Sequence, residues 1–213
     1  IGSVVQQAVT GLGRVVVVVS GAGCALFGAG GEVSDAQIDQ HLQTYLVGSI
    51  QVIRACLPFL REQGGGRVLQ VSSEGGQLAY PNFSLYHASK WAVEGFVESV
   101  AQEVAPFGIE FTLVEPGPTR TNFGAALVSP PPMAVYDKTP AGDVRRAVAS
   151  GEFALTGDPV KMAKAMLAVA DAKPAPKRLL LGSGAYDRVH ATLTERLAAL
   201  EQQQQIARST EID

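Results

Sequence analysis

Tyr86-His-Ala-Ser-Lys90 sets a phenol and an ammonium four residues apart. On a helix that spacing puts both on one face as neighbours. An adjacent cation favours phenolate over phenol, so the Tyr86 pKa is expected below its usual value of about 10, where the phenol exchanges a proton with a carbonyl or alcohol oxygen. Ser73 lies thirteen residues earlier, at the carboxyl end of a predicted strand, where its hydroxyl would donate to the same oxygen. Ser72 is its rival for that place. Pro116-Gly117-Pro118-Thr119-Arg120-Thr121 follows the next predicted strand. Its prolines fix the backbone, Gly117 permits close approach, and Thr119 and Thr121 offer hydroxyls and amides to a carboxamide or phosphate.

These groups act together only if the chain brings them to one rim. Ser3 is expected to cap a short helix from Val4 to about Leu12. Val15 to Val19, five valines stiff at χ1, suits a strand buried on both faces of a parallel sheet. Ser34-x-x-Gln37 is a capping box opening a helical stretch to about Leu60, and Gly64-Gly65-Gly66 ends it. Arg67 to Ser72 reads as a strand, about Leu85 to Val104 as a long helix, and Ile109 to Glu115 as another strand. From Thr121 to about Glu152 the pattern breaks at Pro130-Pro131-Pro132 and Pro140-Ala-Gly142, so an irregular substrate lid is expected, with Met133, Val135 and Tyr136 as candidate pocket residues. Asp158-Pro159 caps a helix to about Ala172, Lys177 to Gly182 is a short strand, and Tyr186 to about Ala207 a last helix. Alternating strands and helices imply one α/β domain, a doubly wound parallel sheet whose ligand crevice lies beyond the carboxyl ends of the strands. Ser20 to Gly23, Ser72 to Gly76 and Pro116 to Thr121 then share one rim.

Composition narrows the partners. A chain of 213 residues with 46% hydrophobic content buries one sizeable core. A formal charge of −3 without a basic block argues against nucleic acid. The sequence has neither a run of about 18 apolar residues nor a signal-peptide pattern, so no membrane partner is expected and the expected setting is cytoplasmic. Cys24 and Cys56, in a loop and a helix, are expected as free thiols, with no metal site. His41, His87 and His190 are expected at helix surfaces or boundaries, Trp91 and Phe96 in helix packing, and Glu74, Gln77, Tyr80 and Phe83 in a substrate loop by position.

The strand RVLQVSS, the Ser73 to Tyr86 spacing, Tyr86-x-x-x-Lys90, Pro116-Gly117-x-x-x-Thr121 and KRLLLG together resemble the short-chain dehydrogenase/reductase family across nearly the whole chain. The resemblance implies a Rossmann-like fold and an NAD(P)-dependent oxidoreductase acting on a small-molecule carbonyl or alcohol. It implies Tyr86 as acid/base, Lys90 lowering its pKa and holding the nicotinamide ribose, and Ser73 orienting the substrate oxygen. Ser20, Ala22, Gly23, Tyr86, Lys90, Pro116, Gly117, Pro118, Thr119 and Thr121 would contact the cofactor, NAD or NADP, a choice this stretch does not decide. The family also pairs the helices at 35–60 and 85–104, so a homodimer or homotetramer is expected.

Three departures stand against that resemblance. The family's glycine-rich phosphate loop lies much further upstream than the 65 residues separating Gly21 from Tyr86. Gly28, Gly30 and Gly31 would also break the helix such a loop must open. Ser20-Gly21-Ala22-Gly23 therefore corresponds to the family's Asn-Asn-Ala-Gly segment with both asparagines replaced, and the first βαβαβ portion of the fold is absent from this sequence. Residues before Ile1 are accordingly expected, or a partner chain, to cover the valine edge. Tyr45 stands where the family has an asparagine whose backbone carbonyl holds a water linking the lysine to solvent. Either its bulk disturbs that relay or the carbonyl preserves it. The competing functional expectation is a catalytically silent scaffold, partner subunit or truncated remnant.

Overall fold

In the computed structural model, residues 1–23, 25–152 and 154–212 are described, with the side chain of Ala125 left aside; Cys24 thus lies outside the described residues. The chain begins with α1 (Gly2–Leu12). Ser3 lies inside this helix and caps nothing, because the carbonyl of Ile1 already accepts from the Val5 amide, starting the helix two residues earlier than expected. β1 (Val17–Ser20) follows, and then α2 (Asp35–Leu42), opened by the Ser34/Gln37 capping box.

The long helical stretch is continuous but not uniform. A single π-helical turn, Gln43–Val47, joins α2 to α3 (Gly48–Glu62). Gly64 and Gly65, at φ 82° and 130°, take left-handed backbone that other residues avoid, and they turn the chain into β2 (Gly66–Val71). α4 (Ser84–Val104) and β3 (Ile109–Pro116) come next. Inside the expected irregular lid the chain forms α5 (Pro140–Ala149): the Thr139 hydroxyl accepts from the Ala141 amide and Pro140 occupies the first turn, where its missing N–H costs nothing. A proline read as a breaker is here a helix start. α6 (Pro159–Asp171) is capped by Asp158, and β4 (Arg178–Leu181), α7 (Ser183–Gln202) and α8 (Gln204–Arg208) complete the chain.

Among the described residues the four strands form one parallel sheet in the order β1-β2-β3-β4. Alternation along β2 divides its surroundings: Val68 enters the core cluster, while Arg67 points the other way and donates to the carbonyls of Val169 and Ala170 on α6. Helices therefore cover both faces. On the α3/α4 face, Ile53, Leu60, Val68, Val97, Ile109 and Leu113 form the centre of the core. Each fully buried side chain of this size contributes about 1.5–3 kcal/mol, which fixes α4, and with it Tyr86 and Lys90, against the sheet.

The valine strand is half covered rather than buried on both faces. β1 pairs with β2 alone, Val18 packs toward the core, and Val16, Val17 and Val19 are 55%, 36% and 54% exposed. An edge strand has one neighbour, so alternate side chains lose the cover that a central position gives.

Candidate active site

The carboxyl ends of β1, β2 and β3 open onto a cleft of about 950 Å³. Ser73, Tyr86 and Lys90 lie on its wall together with Ala22, Gly23 and the Pro116–Thr121 turn. Ser20 does not: it is buried in β1, in register with Gln70. Ser20 is still paired in the ladder and its side chain is buried.

Ser73 and Ser72 part company at the end of β2. The Ser72 hydroxyl donates to the Glu94 carboxylate beneath the rim. Ser73 Oγ accepts from the Gly75 amide at 3.0 Å and hydrogen-bonds Tyr86. The rivalry is resolved by α4, whose Glu94 claims Ser72.

Lys90 is buried, and its ammonium donates to the Val71 carbonyl at 3.1 Å. It stands 5.5 Å from the centre of the Tyr86 ring and 5.4 Å from that of Tyr45. Burial lowers its pKa to about 8, against the pull of Glu94. Tyr86 departs from the sequence expectation: its pKa is pushed up to about 12, by burial first and then by the Glu74 charge, with the Ser73 hydrogen bond opposing. Loss of water around the phenol outweighs a cation that is itself desolvated and bonded to a carbonyl.

Tyr45 lies in the π-helical turn, one of the places where such turns concentrate. Its ring stacks on His41 at 4.5 Å and meets Tyr86 edge-on at 6.0 Å. A Cβ added at Gly23 would fall 2.2 Å from Tyr45 Cε1, so the absence of a side chain at 23 makes room for this ring. The Tyr45 carbonyl accepts from Ser49 Oγ at 2.8 Å.

The turn after β3 is held by bonds of its own and by the Leu181 and Gly157 backbone. The Gly117 amide donates to Leu181, Thr119 Oγ1 donates to the Gly117 carbonyl at 2.7 Å, and Thr121 Oγ1 accepts from the Phe123 amide. Gly117 is needed for packing, since a Cβ there would meet Ala185 at 2.8 Å. The cleft also has an apolar lining from Phe123, Leu127, Leu155, Met162 and Met166. The expected lid residues Met133, Val135 and Tyr136 do not line it, and Met133 and Val135 are 48% and 71% exposed; the irregular stretch reaches the cleft instead through residues such as Leu127 and Val148.

Other side chains singled out by the sequence take varied positions. His41 and His87 are buried, and His190 is exposed. His87 accepts from the Tyr80 amide at 2.8 Å through Nε2, which assigns its proton to Nδ1, facing the Gly75 carbonyl at 2.9 Å. Trp91 is 43% exposed under the Arg196 guanidinium. Cys56 is a buried free thiol whose pKa is raised by burial. Among the described residues no group of three or more His, Cys, Asp or Glu could hold a metal, and no helix is long and apolar enough to cross a membrane.

Sequence reasoning missed two charge clusters. Beneath the rim Arg178 bonds Glu94 at 2.6 Å, Glu115 and Glu98, and Gln77 donates to Glu115. Beside Ser73, Glu74 meets Arg188. The two arginines lie 63–114 positions from their carboxylates, and Gln77 lies 38 from Glu115, beyond any local spacing signal.

The sequence pattern of the short chain dehydrogenase family matches residues 1–131. The chain belongs to that family. Oxidoreductase BOA17 of Botryotinia fuckeliana is 36% identical over 178 residues, 82% of this chain and 64% of that protein. Human 17-beta-hydroxysteroid dehydrogenase type 1 is 37% identical over 127 residues, 60% of this chain and 38% of its own length. This short chain dehydrogenase therefore spans less than two thirds of these relatives. A solved short-chain dehydrogenase from Streptomyces avermitilis superposes with a TM-score of 0.89 at 35% identity, over 99% of this chain and 77% of its own. ElxO, solved with NADP bound, shares the fold at TM-score 0.69 and 21% identity, over 87% of this chain and 73% of its own.

Proposed function

We propose that this chain carries the catalytic part of a nicotinamide-dependent oxidoreductase, which interconverts an apolar ketone or aldehyde and its alcohol. The observation that carries the reading is the convergence of Ser73, Tyr86 and Lys90 in one cleft whose lining is otherwise largely apolar. Ser73 orients the substrate oxygen, Tyr86 holds the proton given to that oxygen on reduction, and Lys90 keeps the phenol beside it. A bound reduced nicotinamide, NADH or NADPH, supplies the hydride.

The residues present fit the nicotinamide and ribose end of such a cofactor. Lys90 and Tyr86 offer polar atoms to ribose hydroxyls, and Ala22, Gly23 and Pro116–Thr121 leave a shallow wall for a flat ring. The pyrophosphate has no helix N-terminus after β1, since α2 begins only at Asp35. With this reading go a cytoplasmic setting and pairing of copies through 35–60 and 85–104, supported by the small exposed side chains Ala88, Ala92 and Ser99 on α4.

The test follows nicotinamide absorbance during reduction of a panel of apolar ketones, with NADH and NADPH binding measured by calorimetry. Turnover that disappears in Tyr86→Phe, while nucleotide affinity stays within about threefold, supports the assignment. Absence of both binding and turnover at millimolar nucleotide favours the silent alternative. Full turnover in Tyr86→Phe removes the tyrosine from the role.

A further inference from the structure

The segment joining β2 to α4 holds a buried ion pair that the acid/base reading leaves unused. Glu74 follows Ser73 directly, opens a short turn at Glu74–Gly76, and is 3% exposed. Its carboxylate accepts from Tyr80 Oη at 2.7 Å. Arg188 of α7 reaches across the cleft rim: Nη2 donates to both Glu74 oxygens at 2.9 and 3.1 Å, Nε donates to Glu74 Oε2 at 3.2 Å, and Nε also meets Tyr80 Oη at 3.0 Å. His87, beside Tyr86, fastens the same loop through Gly75 and Tyr80. The loop carrying Ser73 and the helix carrying Tyr86 are thus tied to α7 through one carboxylate.

We propose that Glu74 and Arg188 form a positioning pair for the acid/base site, the carboxylate holding the proton on Tyr86 and the α7 guanidinium limiting that hold. The inference rests on the reading of Tyr86 as the acid. A buried carboxylate next in chain to Ser73 disfavours a second negative charge on the phenol, in the direction found for Tyr86. An unpaired carboxylate at 3% exposure would be costly and its field unopposed, so the bidentate arginine has a physical reason to be there. Other groups also face Tyr86. Lys90 lies one turn along α4, His87 adjoins it, Tyr45 with His41 behind it comes from the π-helical turn, Tyr80 comes from the loop, and Arg120 lies on the cleft wall. Lys90, Tyr45, His41 and Arg120 have no bond to 74 or 188, whereas Tyr80 bonds both partners and His87 faces the Glu74 charge, so their changes must be separated from that of Tyr86.

The experiment titrates the Tyr86 phenolate by ultraviolet difference absorbance in the full chain. Each variant is compared with its Tyr86→Phe counterpart, so that the other tyrosines cancel and no turnover is needed. Glu74→Gln should move the titration about 0.5–1 unit down in pH and Arg188→Gln a similar amount up, the size expected of one partly screened charge at several ångströms. Arg188→Lys, which keeps the charge, should stay near the parent, and circular dichroism checks that each variant is folded. Should Arg188→Gln not fold, Glu74→Gln and Arg188→Lys still decide. Where turnover is measurable, its pH profile should move in the same two directions. Singles that shift the same way, or no shift in folded Glu74→Gln, overturn the pair's role. If instead Tyr86→Phe retains turnover, it is the acid assignment that falls, and the phenolate titration still judges the pair.

Discussion

Replacing Arg178 with methionine removes the cation from beneath the rim and leaves its carboxylates behind. Glu94 and Glu115 are 4% and 0% exposed, whereas Glu98, at 57%, is already solvated and adds about 0–1 kcal/mol. Breaking a buried pair from one side costs about 3–5 kcal/mol. Arg178 is itself 32% exposed, so water replaces part of its charge and the lower end, about 3 kcal/mol at pH 7, is expected. The sign of the pH dependence follows from Glu115, whose pKa is raised by burial first and then by Glu94. Between the unfolded value of 4.5 and the raised folded one, the folded state holds a proton that the unfolded chain has released, so acidification through that window stabilises the fold. Losing Arg178 raises that value further. Between pH 7 and pH 5 the variant should recover stability relative to the parent, by up to about 1.4 kcal/mol per pH unit for each proton taken up. Urea denaturation at the two pH values, read by far-ultraviolet circular dichroism, measures this. A loss below about 1 kcal/mol at pH 7, or one that does not shrink on acidification, would refute the argument that two desolvated carboxylates depend on this guanidinium.

Two further outcomes are expected. Gly23→Ala should destabilise by about 1–3 kcal/mol, because its methyl would meet the Tyr45 ring, and Tyr45→Ala in the same chain should relieve the overpacking; thermal melts of the four chains of that cycle show whether the costs couple or merely add. Lys90, with a folded pKa of about 8 against 10.5 in the open chain, makes stability rise with pH from about 8 to 10, above which proton release from Tyr86 in the unfolded chain begins to act the other way. Lys90→Met should flatten that rise in denaturant midpoints, and an unchanged slope would mean the ammonium is better solvated than its position indicates.

The parts of the site carried by short spacings were legible in the sequence. Tyr86 and Lys90 share a helix turn, Ser73 ends a strand, and the Pro116–Thr121 turn follows another, so local periodicity places all of them on one rim. What escaped depends on neighbours that periodicity does not name. Val15 to Val19 reads as a central strand because composition cannot tell a covered face from a bare one, and β1 has one strand beside it. Pro140 reads as a breaker unless Thr139 is recognised as its cap. The Tyr86 pKa ran opposite to expectation because the i,i+4 rule supplies the cation but not the burial, nor the carboxylate of Glu74. Arg188 and Arg178 reach their partners across the fold, and only the assembled sheet brings them close.

The π-helical turn at Gln43–Val47 has a consequence for how this chain can vary. It adds one residue to an otherwise continuous helix, so everything after it is rotated by about 100° from where an unbroken α-helix would place it. Ile53, Cys56 and Leu60 enter the core in that rotated register, while His41 keeps the earlier one against Ser89. Length can therefore change here without repacking: a different side chain at 45 alters one wall of the cleft, whereas deleting one residue of the turn would close the helix into unbroken α and leave the buried stripe of α3 facing the core.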